Sequence, residues 1–290
     1  MSEAILLKES ASTARPRNLR MRIALGVIAA YLLMAIIGPL IVPYDAVSTD
    51  IGNRLLPPLA VTSDGVTALL GTDALGRDLV AQIIQGARIS IEVGFATLVL
   101  AGSIGLIVGV AAGYFGGRLD AVLMRVADIQ LAFPAILLAI YIASIFGPGV
   151  SNVILVLAIA NWVVFARVTR AQTIATLQLE FVQATRSLGA GHWHTIRHCI
   201  LPACMASLII ISTVELGAVI VSEASLSFLG LGTPPNSPSW GLTIANGRNY
   251  LASAWWISTF PGIALGILVI AVGILGDELR DRLDPNLKTK

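Results

Sequence analysis

The sequence predicts an all-α integral membrane protein with six transmembrane helices, both termini cytoplasmic, and a helix–turn–helix in the cytoplasmic loop between spans four and five. Of its 290 residues, 56% are hydrophobic and only 12% charged, half the roughly 25% of a soluble domain. Six apolar stretches reach the roughly 20 residues needed to cross a hydrocarbon core. Lysine and arginine set the orientation. With the termini inside, fourteen of the nineteen lie on the cytoplasmic side, four lie outside, and Arg125 falls within a span.

Taken in order, residues 1–22 form a polar cytoplasmic segment and 23–42 the first span. That apolar run exceeds the roughly 7–15 residues of a signal-peptide core and no A-x-A site follows, so it reads as an uncleaved helix. Residues 43–90 form an outer, periplasmic loop containing the turn-rich Gly71–Asp78 (GTDALGRD). A five-span core covers 91–276, with spans at 91–115, 120–146, 150–169, 203–229 and 255–276, and 277–290 form a cytoplasmic tail. Several spans hold glycine or proline, among them Gly105, Gly109, Gly113, Pro134 and Pro261. Membrane bundles tolerate these residues and use small ones for close helix approach, so the overlapping GxxxG matches read as helix packing. Trp240, Trp255 and Trp256 suit the outer headgroup level.

Charges within spans are costly and are functional candidates. Arg125 and Asp128 are three apart and can pair along one helix face. Glu215 and Glu223, eight apart, lie about 80° apart around a helix and can line a polar path or anchor by hydrogen bonds. Glu92 reads as interfacial.

The loop 167–202 holds all three histidines and both cysteines. Leu177, Phe181, Ala184 and Leu188 make one apolar stripe on a helix, Gly189-Ala190-Gly191 breaks it, and Trp193, Ile196 and Ile200 repeat on a second short helix that Pro202 stops. His194 and His198 have a spacing that can clasp zinc, but no carboxylate stands nearby, so no metal site is assigned. A solvated docking face fits better, with an amphipathic hairpin on the lipid surface as the alternative. The two cysteines are too few for a disulfide framework, and no basic stripe with interleaved aromatics suggests nucleic acid.

Ala184, Gly189 and Leu201-Pro202 resemble the "EAA" loop of permease subunits of bacterial ATP-binding-cassette importers, roughly E-A-A-x3-G-x9-I-x-L-P. The spacing from glycine to Leu-Pro is intact, while Gln183, Thr185 and Cys199 stand where Glu, Ala and Ile are usual. The motifs at Leu70–Asp78, Gly86–Ser90, Ala112–Asp120, Met124–Pro134, Glu223–Gly232 and Gly276–Pro285 extend the likeness. Together they resemble the C-type permease of the dipeptide/oligopeptide and nickel branch. The resemblance implies an inner-membrane permease subunit with no catalysis or cofactor of its own. It implies an ATPase-coupling loop carried by Gln183, Ala184, Thr185, Gly189, Leu201 and Pro202. It also implies a second homologous permease subunit, two cytoplasmic ATP-binding subunits that use ATP and Mg, and a periplasmic or lipid-anchored solute-binding protein. Di- and oligopeptides are the expected cargo, with nickel or another small solute as the alternative within the branch.

No G-x-x-x-x-G-K-[ST] phosphate loop is present, so ATP must be hydrolysed by another chain. A different class, an ion-coupled carrier using Asp128, Glu215 and Glu223 as a proton relay, leaves the loop unexplained. An intramembrane hydrolase lacks its motifs.

Overall fold

A computed structural model describes residues 17–42, 49–234 and 236–283. The described helices are α1 (Arg17–Ile41), α2 (Leu79–Phe115), α3 (Gly117–Leu131), α4 (Ala135–Phe146), α5 (Val150–Leu177), α6 (Glu180–Ser187), α7 (His192–Phe228), α8 (Trp240–Gly247) and α9 (Trp256–Leu283). Five of these, α1, α2, α5, α7 and α9, are long and apolar enough to cross a membrane.

The expected third span, 120–146, is not straight. It is the pair α3 and α4, bent by 88°, and only when they are counted as one span does the total reach six. The cause is local. Pro134 lacks an N–H and disfavours helical geometry at Phe133, so α3 stops at Leu131 and Pro134 caps α4 from an extended conformation (φ −57, ψ 127).

The second span also differs, beginning at Leu79 rather than 91. Asp78 caps it, its Oδ1 accepting the Ala81 N–H at 3.0 Å. Gln82 and Ser90 interrupt the apolar pattern there, yet both are buried and hydrogen-bonded to other helices. At 37 residues α2 is about 55 Å long, well beyond a hydrocarbon core. The segment before it is not purely irregular either. It holds a short two-stranded antiparallel hairpin, Ala60–Val61 with Thr67–Ala68, within an otherwise all-helical chain.

The centre of the bundle is the α2–α5 seam. A Cβ placed on Gly105 would lie 2.3 Å from Phe165 Cβ, on Gly109 2.5 Å from the Ala166 oxygen, and on Gly113 2.8 Å from Thr173 Cβ. Only hydrogen fits at these three positions, which is how the helices come into backbone contact. Apolar clusters flank the seam, one joining α2, α4, α5 and α7 through Val93, Ala143, Val156 and Val219. Trp240 and Trp256 belong to another and are buried inside the bundle, whereas Trp255 is exposed. Their indole N–H groups donate to the Ile83 and Thr72 carbonyls at 3.0 and 3.1 Å, which satisfies the polar edge and permits burial.

Candidate functional site

The loop between α5 and α7 forms an exposed ledge at one end of the bundle. Tyr114 Oη lies 2.8 Å from His192 Nδ1, setting the end of α2 beside the start of α7. At the opposite end the Gly149 N–H donates to the Gly232 carbonyl, joining the start of α5 to the chain leaving α7.

α5 ends at Leu177, and a turn through Gln178 and Leu179 opens α6. The Gly189 N–H donates to the Arg186 carbonyl (3.0 Å) and the Ala190 N–H to Thr185 (3.3 Å), the paired bonds of a Schellman motif. The motif requires a left-handed residue, and Gly189 supplies it at φ +87. The chain then enters α7 at His192. Pro202 does not stop a separate short helix as its sequence position suggests. The turns before it widen into a π segment, Ile196–Ile200, whose Leu201 N–H reaches back to Ile196, so the helix runs unbroken from His192 to Phe228.

The apolar stripe of α6 faces outward. Val182 is buried, whereas Phe181 is 55% exposed, Leu188 89% and, across the turn, Trp193 70%. These large apolar side chains are exposed at the ledge and lie away from the bundle core. Thr185, Leu188, Gly189, Ala190, Gly191 and His194 line a groove of about 460 Å³ between them. Of the expected loop residues, Gln183, Ala184, Thr185 and Gly189 therefore share this ledge. Gln183 Nε2 donates to the Gln178 carbonyl at 3.2 Å, and Thr185 Oγ1 donates to Phe181 at 2.7 Å. Leu201 packs instead beside Val110, Ile200 and Cys204, and Pro202 is exposed on α7. Both cysteines are buried, and among the described residues no group of three or more His, Cys, Asp or Glu is placed to hold a metal.

The four intramembrane candidates do not form one group. Arg125 and Asp128 do not pair. Asp128 accepts from Arg167 on α5 at 2.6 Å, and about two turns earlier on α3 Asp120 accepts from Arg170 Nη2 at 2.6 Å. These two cross-helix pairs, absent from the sequence reading, fasten α3 to α5. Between α3 and α5 also lies Gln130, whose Nε2 donates to the Ile159 carbonyl (2.7 Å) and whose Oε1 accepts from Trp162 Nε1 (2.7 Å). Glu215 is partly exposed and makes no hydrogen bond or ion pair among the described residues. Glu223 is completely buried, accepting from Ser227 Oγ at 2.7 Å and Ser90 Oγ at 3.3 Å, bonds that link α7 to α2.

The end opposite the ledge holds a cavity of about 610 Å³, lined by residues including Asp73, Arg77, Phe228, Arg248, Asn249 and Tyr250. Asp73 organises the GTDALGRD turn: buried, it accepts from the Leu75 and Arg77 N–H groups, Arg77 Nε and Gln82 Nε2, all within 2.9 Å. The motif is thus a knot that fixes the entry to α2.

Five or six apolar helices around backbone-close seams, with a cavity at one end and an exposed apolar ledge at the other, define a multi-pass membrane protein. The chain belongs to the family of binding-protein-dependent transport system inner membrane components, which matches residues 105–289. Residues 17–58 match the N-terminal transmembrane domain of oligopeptide transport permease C. The chain is 39% identical over 268 residues to a di/tripeptide transport system permease of Pseudomonas aeruginosa, covering 91% of this chain and 88% of that one. It is 38% identical over 269 residues to the nickel transport system permease of Escherichia coli K12, covering 93% and 95%. In fold it is similar to a methionine ABC transporter in an inward-facing conformation, with a TM-score of 0.55 at 18% identity, covering 70% of this chain and 96% of that one.

Proposed function

We propose that this chain is one of two permease halves of an ATP-binding-cassette importer for di- and oligopeptides. Separate cytoplasmic ATPases dock on the loop 167–202, and a solute-binding protein delivers cargo at the opposite end. The termini and the ledge then face the cytoplasm, as the arginine and lysine distribution requires. The observation that carries this reading is the exposed ledge of Phe181, Leu188 and Trp193 around the Gly189 groove.

The ledge is mechanically suited to the task. One of its helices follows α5 after a two-residue turn and the other is the first turn of α7, so a push on it acts on two spans at once. α3 moves with α5 because two ion pairs and Gln130 join them. ATPase closure thereby becomes rigid-body rocking, the usual basis of alternating access. This chain supplies no nucleotide site. It supplies the lever.

Peptide cargo is favoured over nickel although a relative of each kind matches equally well. Every imidazole and thiol of the chain lies between His192 and Cys204, at the ledge end, leaving the entry end without the ligands nickel prefers. The test is uptake of a labelled dipeptide by proteoliposomes holding the permease pair, ATPases and binding protein. Uptake that needs internal ATP is expected. Uptake without ATP under a proton gradient would instead establish an ion-coupled carrier.

A further inference from the structure

We propose that the cavity at the entry end is a subsite for the C-terminal carboxylate of a peptide, and that Arg248 is the residue that binds it. This rests on the importer reading above and adds what the permease itself reads of its cargo. The cavity, about 610 Å³, falls within the roughly 300–1,000 Å³ usual for small-molecule sites. Its walls come from three parts of this chain: the turn at Asp73–Arg77, the end of α7 with Leu229 and Gly230, and α8 with the 3₁₀ turn Arg248–Tyr250 that continues it. Packing fixes that last wall. Ser239 Oγ caps α8 by accepting the Leu242 N–H, and a Cβ on Gly247 would collide with Ser258 Oγ, so the end of α8 presses on α9.

Three charged side chains line the cavity: Asp73, Arg77 and Arg248. Asp73 and Arg77 hold each other, with Arg77 Nε and Nη2 both 2.8 Å from Oδ2. Asp73 also accepts the Leu75 and Arg77 N–H groups and Gln82 Nε2. Its acceptor capacity is full, so it has nothing to offer a peptide ammonium. Arg248 differs. Its guanidinium stands over the Phe228 ring, 5.9 Å from the centroid, and forms no hydrogen bond or ion pair with a described residue. The ring contact steadies the head group at the cavity and leaves its N–H fork without an oxygen partner. That fork matches a carboxylate in bidentate fashion. Asn246 and Asn249, three residues apart and exposed on the same wall, offer amide donors to the same anion. Phe228 and Leu229, 37% and 55% exposed, give the adjoining peptide side chain an apolar surface. One net positive charge and a saturated acid suit the carboxylate end of a peptide, not its ammonium end. Every di- and tripeptide carries that carboxylate, so a site reading it accepts many sequences. An acidic side chain of the solute-binding protein offers the same group, but a concave cavity of this size favours a small ligand.

The test is equilibrium binding of tritiated alanyl-phenylalanine to nanodiscs holding the permease pair and its ATPases, without the solute-binding protein. The unaltered complex should bind the dipeptide about tenfold more tightly than its C-terminal amide, the ratio expected of one charge-assisted hydrogen bond. Arg248→Gln should bind the acid about tenfold more weakly and the amide as before. Arg248→Lys should fall between, since it keeps the charge but not the fork. Arg248 is exposed, so these variants remove no buried contact. Docking of the peptide-loaded binding protein on the same nanodiscs should be equal for the unaltered complex and Arg248→Gln. A variant that docked that protein weakly yet bound the dipeptide normally would assign Arg248 to the protein interface and overturn the proposal. So would equal affinity for acid and amide, or no measurable dipeptide binding by the unaltered complex. Those results are compatible with ATP-dependent uptake, so the importer reading is judged separately in proteoliposomes, where uptake without ATP would remove the ground on which this proposal stands.

Discussion

Replacing Gly109 by alanine tests the α2–α5 seam. The added methyl would stand 2.5 Å from the Ala166 oxygen, 2.7 Å from Thr169 Cβ and 2.9 Å from the Arg170 nitrogen, whereas ordinary contact begins at 3.4 Å. All three neighbours are backbone or Cβ atoms, so no rotamer change relieves the clash and the helices must separate by nearly an ångström. Overpacking of this kind costs about 1–3 kcal/mol. A loss of about 2 kcal/mol lowers the unfolding midpoint by about 4–8 °C for a chain of this size. The assay is thermal unfolding of the purified permease in one detergent, followed by tryptophan fluorescence. Gly273→Ala serves as the matched control. Nothing lies within 4 Å of its added Cβ, and alanine there should be neutral or stabilise the helix by about 0.5–1 kcal/mol. Equal midpoints for the two variants would refute the claim that the seam depends on backbone contact.

Glu223→Ala should destabilise by about 2–3 kcal/mol because it strands the buried Ser90 and Ser227 hydroxyls, whereas Glu223→Gln should cost markedly less; unfolding midpoints distinguish them. Trp240→Phe should lower the midpoint by an amount equivalent to about 1–3 kcal/mol, since the buried Ile83 carbonyl loses its donor. A double-mutant cycle on Asp120 and Arg170 should give a coupling of about 1 kcal/mol, and the cycle on the half-exposed Asp128 and Arg167 about half of that or less, both shrinking with added salt. In proteoliposomes, Phe181→Asp should abolish ATP-driven uptake with the unfolding midpoint unchanged, because the side chain supports no contact within the bundle core.

Composition alone made the spans legible, because a run of twenty apolar residues has few other fates. Where they break was harder to read. Pro134 and Pro202 are both prolines within apolar stretches, yet one bends the chain by 88° and the other is absorbed by a π segment. The choice depends on what packs around each, and membrane bundles tolerate proline often enough to hide it. Ion pairing failed in the same way. Arg125 and Asp128 are neighbours in sequence, but Asp128 reaches Arg167 because α5 passes alongside α3. The ledge was half legible: Gly189 announced its turn, and the periodicity of Phe181 and Leu188 announced a stripe. Periodicity cannot say whether a stripe faces the core or a missing partner. Nor could it say that Trp240 and Trp256 would be buried with their indole N–H groups on the Ile83 and Thr72 carbonyls.

The measurement closest to the central claim is co-purification of the ATPase subunits with a Gly189→Asp permease. An L-residue at φ +87 is strained, and the added carboxylate enters the groove lined by Thr185, Leu188 and His194. Open space around the added Cβ leaves the rest of the fold undisturbed. The account predicts a variant that inserts into the membrane in normal amount, retains no ATPase and imports no peptide. A variant that still held its ATPases in full proportion and still imported would contradict it.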